Sequence, residues 1–379
     1  MASDVLKFCA TDKEVYDLLM SSRQRINAAV LHDMAKQRGI FYSPHETRES
    51  LANQLSLLPY DYEALDELLG QSANPNRAER VTSVTLKTKV TPEEVKELLS
   101  QIQNEIGPEE KITSHSANAQ TQVVQYEYTE IDFGKTRLLQ RRERESDIRI
   151  ITEGENTTIR MPANEKTRDF VGKLQQALEA KRLGSISTDL IEIPDLSADE
   201  RTLFFTDLMS KMEGYSLRDV TNVKVHSGLI PAETEEEDSE DEIEDDETAE
   251  AADEMLSVVE DVALHGQMLM SSAEYQHLRQ KGFYITSITW ISQQEHDPFN
   301  KVEFDAGFEH PKQGKGFRYN VRGIYRKRKT KFTKTLRPVD DDVKQAVFPI
   351  IERTAHRLLA ELRKAPEAGE ASSGAKAGS

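Results

Sequence analysis

Apolar residues recur at helical spacing through the first part of the chain, over about 12–69. Val30, Leu31, Met34 and Ala35 share one face of a helix that Gly39 ends. Leu51, Ala52, Leu55 and Leu58 form a second stripe that stops at Pro59. Between them, Ser43, Pro44 and Glu46 have the order of a capping box, which predicts that the second helix opens at Ser43. A third helix is predicted over 62–69.

After the loop GQSANPNRAER the period changes. VTSVTLKTKV alternates as a strand does, and TPEE then opens a helix with Val95, Leu98, Leu99 and Ile102 on one face. Strands are predicted in TQVVQYEYTEI, GKTRLLQRRE, DIRIITE and NTTIRMP, followed by a helix over 165–182. From TDLIEIP onward a third pattern begins. Ser197 and Glu200 frame a capping box, a helix carries Leu203, Phe204, Leu208 and Met212, and YSLRDVTNVKVH returns as a strand. A helix is expected from about 255, then a short one opened by SSAE and closed at Gly282. Three strands follow in FYITSITWIS, NKVEFDAGFE and GFRYNVRGIYRKRK. The last helix, over 341–363, places Val343, Val347, Ile350, Ile351, Leu358 and Leu359 on one face, with Pro349 as a bend.

The fold class expected is α+β: an N-terminal helical hairpin module followed by two mixed modules of antiparallel sheet and helices. The boundaries read 1–72, 80–183 and 185–365, the last interrupted by a disordered acidic insertion at 231–254, with a disordered tail at 366–379.

Charge changes the picture. The chain carries 67 acids and 49 bases, a formal charge of −18. The stretch 233–254 alone holds fifteen acids and no base, and without it 52 acids face 49 bases. Acidity is therefore local. No apolar run approaches the roughly 20 residues that cross a bilayer, and MASDVLKFCATDKE lacks a signal-peptide core. The expectation is a soluble, intracellular, cytoplasmic protein with no membrane partner. The single cysteine, Cys9, excludes an internal disulfide and a multi-cysteine zinc site, and reads as a small core residue.

Against this background 314–337 carries ten lysines and arginines, four aromatics and no acid. A strand through FRYNVRGIYRKRK would set Phe317, Tyr319, Val321, Gly323 and Tyr325 on one face and Arg318, Asn320, Arg322, Ile324 and Arg326 on the other. Guanidiniums two residues apart stand about 7 Å from one another, near the phosphate repeat of a nucleic-acid strand. Lys327, Arg328, Lys329, Lys331 and Lys334 extend the cation into a loop. This predicts phosphate contact with weak sequence specificity. The acidic run, tethered nearby, is expected either to gate that surface or to be a solubilising insertion.

The stretch LHDMAKQRGIFYSPHETRESLANQLS resembles the SAP-like, helix-extension-helix family of small nucleic-acid-binding modules. It shares an apolar helix ending in Arg38, Gly39 and Ile40, an extended linker and a leucine-bearing second helix. The resemblance implies that Arg38 and Arg48, with Lys36 nearby, meet phosphates. Glu46 and Glu49 flank Arg48 where a second base would be more usual. The same helices also read as a hairpin for protein contact.

Enzyme hardware is sparse. Gly314, Lys315 and Gly316 lack the spacing of a phosphate loop, and no HExxH, GxSxG or kinase set occurs. Glu303 and Asp305 alternate onto one strand face near His296, Asp297 and His310, which makes them candidate metal ligands; an alternating Glu-x-Asp is also the ordinary wet face of a strand. Asp132 and Lys135 miss the spacing of a restriction-type nuclease by one residue. The expected function is a non-catalytic nucleic-acid-associated adaptor, working with other protein subunits and without a cofactor. A protein scaffold that binds no nucleic acid and a metal-dependent nuclease remain as alternatives.

Overall fold

The structure is a computed structural model that describes residues 10–21, 23, 25–72, 79–107, 110–228, 261–266, 268–329 and 331–364. The expectations for Cys9, the acidic run and the tail lie outside the described residues. The fold class is α+β, with N-terminal helices followed by extensive antiparallel sheet and further helices.

Four helices come first: α1 (Asp12–Ser21), α2 (Ala28–Gln37), α3 (Arg48–Ser56) and α4 (Tyr62–Ser72). Asn27 caps α2 by accepting from the Val30 amide, and Gly39 takes the left-handed φ of +75° that ends it. The start of α3 differs from the expectation. Thr47 is its N-cap, accepting from the Ser50 amide, while Ser43 closes a preceding turn with its hydroxyl on the His45 amide and its carbonyl on the Glu46 amide. Arg48, the first residue of α3, anchors its side chain on the backbone carbonyls of Leu19 and Ile26.

Next come β1 (Val81–Leu86), α5 (Pro92–Glu105), β2 (Lys111–Ser116), β3 (Thr121–Ile131), α6 (Arg137–Gln140), β4 (Arg141–Glu153), β5 (Asn156–Pro162) and α7 (Glu165–Arg182). Thr91 and Glu94 form a reciprocal capping box on α5. The run GKTRLLQRRE, expected as a strand, opens instead with the helical turn α6. Leu138 and Leu139 are both buried in one core, and adjacent residues of a strand point to opposite faces.

The remainder is β6 (Thr188–Asp189), α8 (Ala198–Ser210), β7 (Tyr215–Ser227), β8 (Asp261–His265), α9 (Ala273–Gln280), β9 (Phe283–Gln294), β10 (Lys301–His310), β11 (Lys315–Tyr325), β12 (Lys327–Arg328), β13 (Lys331–Phe332) and α10 (Asp341–Leu362). Of the helix expected from 255, the part up to 260 lies outside the described residues. Its continuation is strand β8, paired antiparallel to β7 through Val223 with Leu264 and Val225 with Val262. α10 runs through Pro349 without interruption.

The chain forms two compact units, interleaved in sequence. The first takes 1–78, 89–157 and 164–185. In it, Leu18, Leu19, Leu31, Leu51 and Leu55 of α1–α3 share a core with Leu138 and Leu139 of α6, and Arg137 pairs with Glu14 at 2.9 Å. The antiparallel strands β2, β3 and β4 lie side by side, and Tyr126 stacks on Phe170 with centroids 5.0 Å apart. The second unit takes 79–88, 158–163 and 186–379. Its strands run in the order β5-β1-β11-β10-β9-β7-β8, with β6 on β1. Its core gathers Phe204 and Phe205 of α8, Trp290, Phe304, Phe308, Phe317 and Tyr319 of the sheet, and Ile351 and Leu358 of α10. Each such ring contributes about 2 kcal/mol by leaving water, which fixes the inner face of β10 and β11 and so decides what the other face can present.

Candidate nucleic-acid interface

β10 and β11 pair antiparallel with Asp305 opposite Asn320 and Gly307 opposite Arg318. The register slips between Glu303 and Phe304, where Glu303 faces Gly323 and Phe304 faces Val321. Arg322 is the extra residue of a β-bulge. Before the bulge the alternation is as expected: Phe317, Tyr319 and Val321 enter the core. After it the faces exchange. Ile324 joins the core and the Tyr325 hydroxyl reaches the Glu303 carboxylate at 3.4 Å. The continuous row from Arg318 to Arg326 that a regular strand would give is therefore corrected. Gly323 permits the bend: a Cβ there would stand 2.7 Å from the Arg337 carbonyl, whose segment bridges back to Ile324.

The polar face of these strands is internally matched in charge. Arg322 pairs with Glu303 at 3.2 Å, and Arg80, at the entry to β1, holds Asp305 through Nε at 2.6 Å and Nη2 at 2.9 Å. Burial pushes the Glu303 carboxyl above its ordinary value, and the Arg322 charge only partly offsets it. Among the described residues no group of three or more His, Cys, Asp and Glu could hold a metal ion. Glu303 and Asp305 serve as partners for arginines, and Asp132 and Lys135 pair with each other at 2.7 Å. Arg318 is half-buried on the same face.

Beyond β11 the chain leaves the sheet and folds into the β12–β13 hairpin. Lys327 faces Phe332 and Arg328 faces Lys331, and Lys329 turns the chain at a left-handed φ of +51°. Arg326 closes the base, its amide donating to the Thr333 hydroxyl at 3.1 Å and its carbonyl accepting from the Thr333 amide at 3.0 Å. Arg326, Lys327, Arg328, Lys329 and Lys331 are all exposed. Among the described residues no carboxylate comes within ion-pair distance of any of the five. The hairpin is tied to the β9–β10 turn, because the Lys327 amide donates to the Asn300 side chain at 2.9 Å. The Lys327 ammonium sits 4.6 Å from the centre of the Phe299 ring, and Lys301 sits 4.7 Å from that of Phe332. Phe299 and Lys301 were not among the expected contacts. The tetrapeptide Pro-Phe-Asn-Lys at 298–301, an aromatic in a turn beside a base, was the available signal.

In the first unit the residues implied by the family resemblance have local work. Arg48 donates through Nε to the Ile26 carbonyl at 2.8 Å and through Nη2 to that of Leu19 at 2.7 Å, closing the C-terminal end of α1. Arg38 lies 4.2 Å over the Tyr60 ring, and Lys36 pairs with Asp33 at 3.2 Å.

The reading of this surface rests on its own residues: no protein-family model matches the chain, and no curated protein matches it.

Proposed function

We propose that the chain is a non-catalytic nucleic-acid-binding protein that contacts phosphates through the β12–β13 hairpin and acts as a binding or adaptor component beside other proteins. One observation carries this: five adjacent exposed cations, Arg326 to Lys329 and Lys331, lack carboxylate partners among the described residues, whereas Arg322 and Arg80 of the neighbouring strands have theirs. Matched pairs stabilise a sheet face. Unmatched cations held on a hairpin raise the local potential and attract polyanions. Contacts to phosphates carry no sequence information, so selectivity among sequences is weak.

The test is binding to DNA and RNA over a salt series. Five phosphate contacts give a log–log slope of about −3.5 on a single strand and about −4.5 on a duplex. Absence of binding at low salt removes the proposal. A protein-binding scaffold is the second reading, favoured by Phe41 and Phe133, which are 81% and 82% exposed in the first unit. Sedimentation of the wild type against a Phe41→Ser, Phe133→Ser variant tests it through self-association.

A further inference from the structure

Phosphate contact accounts for the cations of the hairpin and leaves the rings beside them unexplained. Phe299 is 37% exposed and holds its backbone at a φ of +54°, a left-handed conformation that costs a bulky residue free energy and persists only where its surroundings impose it. Phe299 lies outside the hydrophobic core of its unit. Hydrogen bonds fix the turn around it. The Phe299 amide donates to the His296 carbonyl at 2.8 Å, the Asn300 amide donates to the Gln294 side chain at 3.1 Å, and the Asn300 side chain accepts from Lys327. The turn is built to hold an aromatic ring outward beside a cationic hairpin.

Across that hairpin Phe332 faces Lys327 directly, and its own ring carries Lys301. Two rings and two ammonium groups therefore alternate over a short distance. A duplex offers such a surface only phosphates, because its base faces are stacked inside. A single strand offers phosphates and planar bases together, which rings can stack and ammonium groups can neutralise.

We infer that the hairpin takes single-stranded nucleic acid, with unpaired bases stacking on Phe299 and Phe332 while Lys301 and Lys327 meet the adjoining phosphates. The inference deepens the phosphate-binding reading and rests on it. DNA and RNA share this chemistry, and separate arms of the test distinguish them.

The experiment measures binding of the full chain to a short mixed-sequence DNA strand, the matching RNA strand, the duplex of the same length and vesicles of anionic lipid, each over a salt series. A 2-aminopurine base in the strand reports stacking. Tighter binding of a single strand than of the duplex, with 2-aminopurine quenching, is the expected result. Phe299→Leu and Phe332→Leu each weaken single-strand binding about tenfold with an unchanged salt slope, because a ring is lost and no phosphate contact is. Lys327→Glu changes the slope. Thermal melts check folding, and Phe299→Leu, at an exposed site, keeps the test decisive if Phe332→Leu unfolds. Equal binding of strand and duplex, with both phenylalanine variants like the wild type and Lys327→Glu impaired, overturns stacking and leaves phosphate contact standing. Preference for vesicles over every nucleic acid overturns both readings, as does the absence of any binding.

Discussion

The Arg160 guanidinium grips both carboxylate oxygens of Glu352, Nε to Oε1 at 2.8 Å and Nη2 to Oε2 at 2.7 Å. The Tyr319 hydroxyl donates to the same carboxylate, and Gln345 accepts from Arg160 at 3.1 Å. Three parts of the second unit, β5, β11 and α10, thus meet at one buried charge pair. Burial would lower the guanidinium's hold on its proton, yet the hydrogen bonds and charge of Glu352 outweigh it and raise that hold. Burial and the same carboxylate push the Tyr319 hydroxyl well above its ordinary value.

Removing one member strands the other. Arg160→Met is expected to lose about 3–5 kcal/mol, because Glu352 is left buried without its partner. The double variant Arg160→Met, Glu352→Leu is expected to recover most of that loss. Urea unfolding of both variants decides it. A double variant as unstable as the single one would show that the pair itself, and not its separation, holds α10 on the sheet.

Hairpin and strand cations separate by what each loses. Lys327→Glu combined with Arg328→Glu reverses two exposed charges without touching the core, so thermal stability falls by no more than about 1 kcal/mol, the worth of the Lys327–Phe299 contact, while polyanion affinity falls and the salt slope shallows by about 1.4–1.8. Arg322→Ala removes the partner of a buried carboxylate, so it costs about 1–2 kcal/mol of stability and leaves affinity nearly unchanged. Anisotropy titrations beside unfolding curves distinguish the two. The reverse pattern, with Arg322→Ala abolishing binding, would move the interface onto the strand.

Most helices were legible because their signals are local. The capping box at Ser197 stands where sequence places it, Thr91 caps the helix that TPEE opens, and the apolar stripes of α5 and α10 are buried. What sequence hid was set by distant partners. The carbonyls of Leu19 and Ile26 that hold Arg48 at the start of α3 lie near it only in the folded unit. The bulge at Arg322 lies beside Gly323, where the Arg337 segment passes close by, and no strand period encodes that neighbour. The same limit applied to the site. A run of bases is visible as composition, but which of them are matched depends on Glu303 and on its register with Gly323.

Glu303 gives a pH dependence of definite sign. Its carboxyl is raised by burial above the ordinary 4.5, so the folded chain binds that proton more tightly than the unfolded chain. Unfolding then releases a proton between the ordinary and the raised value, and this group's contribution to stability falls as pH rises through that window. Glu94, Glu200 and Asp195 are shifted down, Glu94 and Glu200 chiefly by hydrogen bonds from their N-caps and Asp195 by one from Arg363, and contribute the opposite slope. Glu303→Gln stays neutral throughout, so the variant is expected to gain stability relative to the wild type as pH rises from about 4 to neutrality. Urea midpoints of both proteins across that range provide the comparison. A constant difference between them would rule the shift out.

The two arginines of the N-terminal resemblance make a sharper case, because the same residue is claimed by two roles. As a phosphate ligand, Arg48 would be dispensable for folding; as the donor closing α1, it holds carbonyls of Leu19 and Ile26 that water reaches poorly. Charged donors to backbone carbonyls are each worth about 1.5–3 kcal/mol. Arg48→Ala is therefore expected to destabilise the first unit by about 2–3 kcal/mol while nucleic-acid affinity at a temperature where the variant is folded stays within twofold. Arg38→Ala exposes the face of Tyr60 and costs about 0.5–1 kcal/mol. Hydrogen exchange of the α1 and α3 amides reads the first effect directly. Protected amides together with lost affinity would return Arg48 to the interface and give the N-terminal helices a phosphate-binding role of their own.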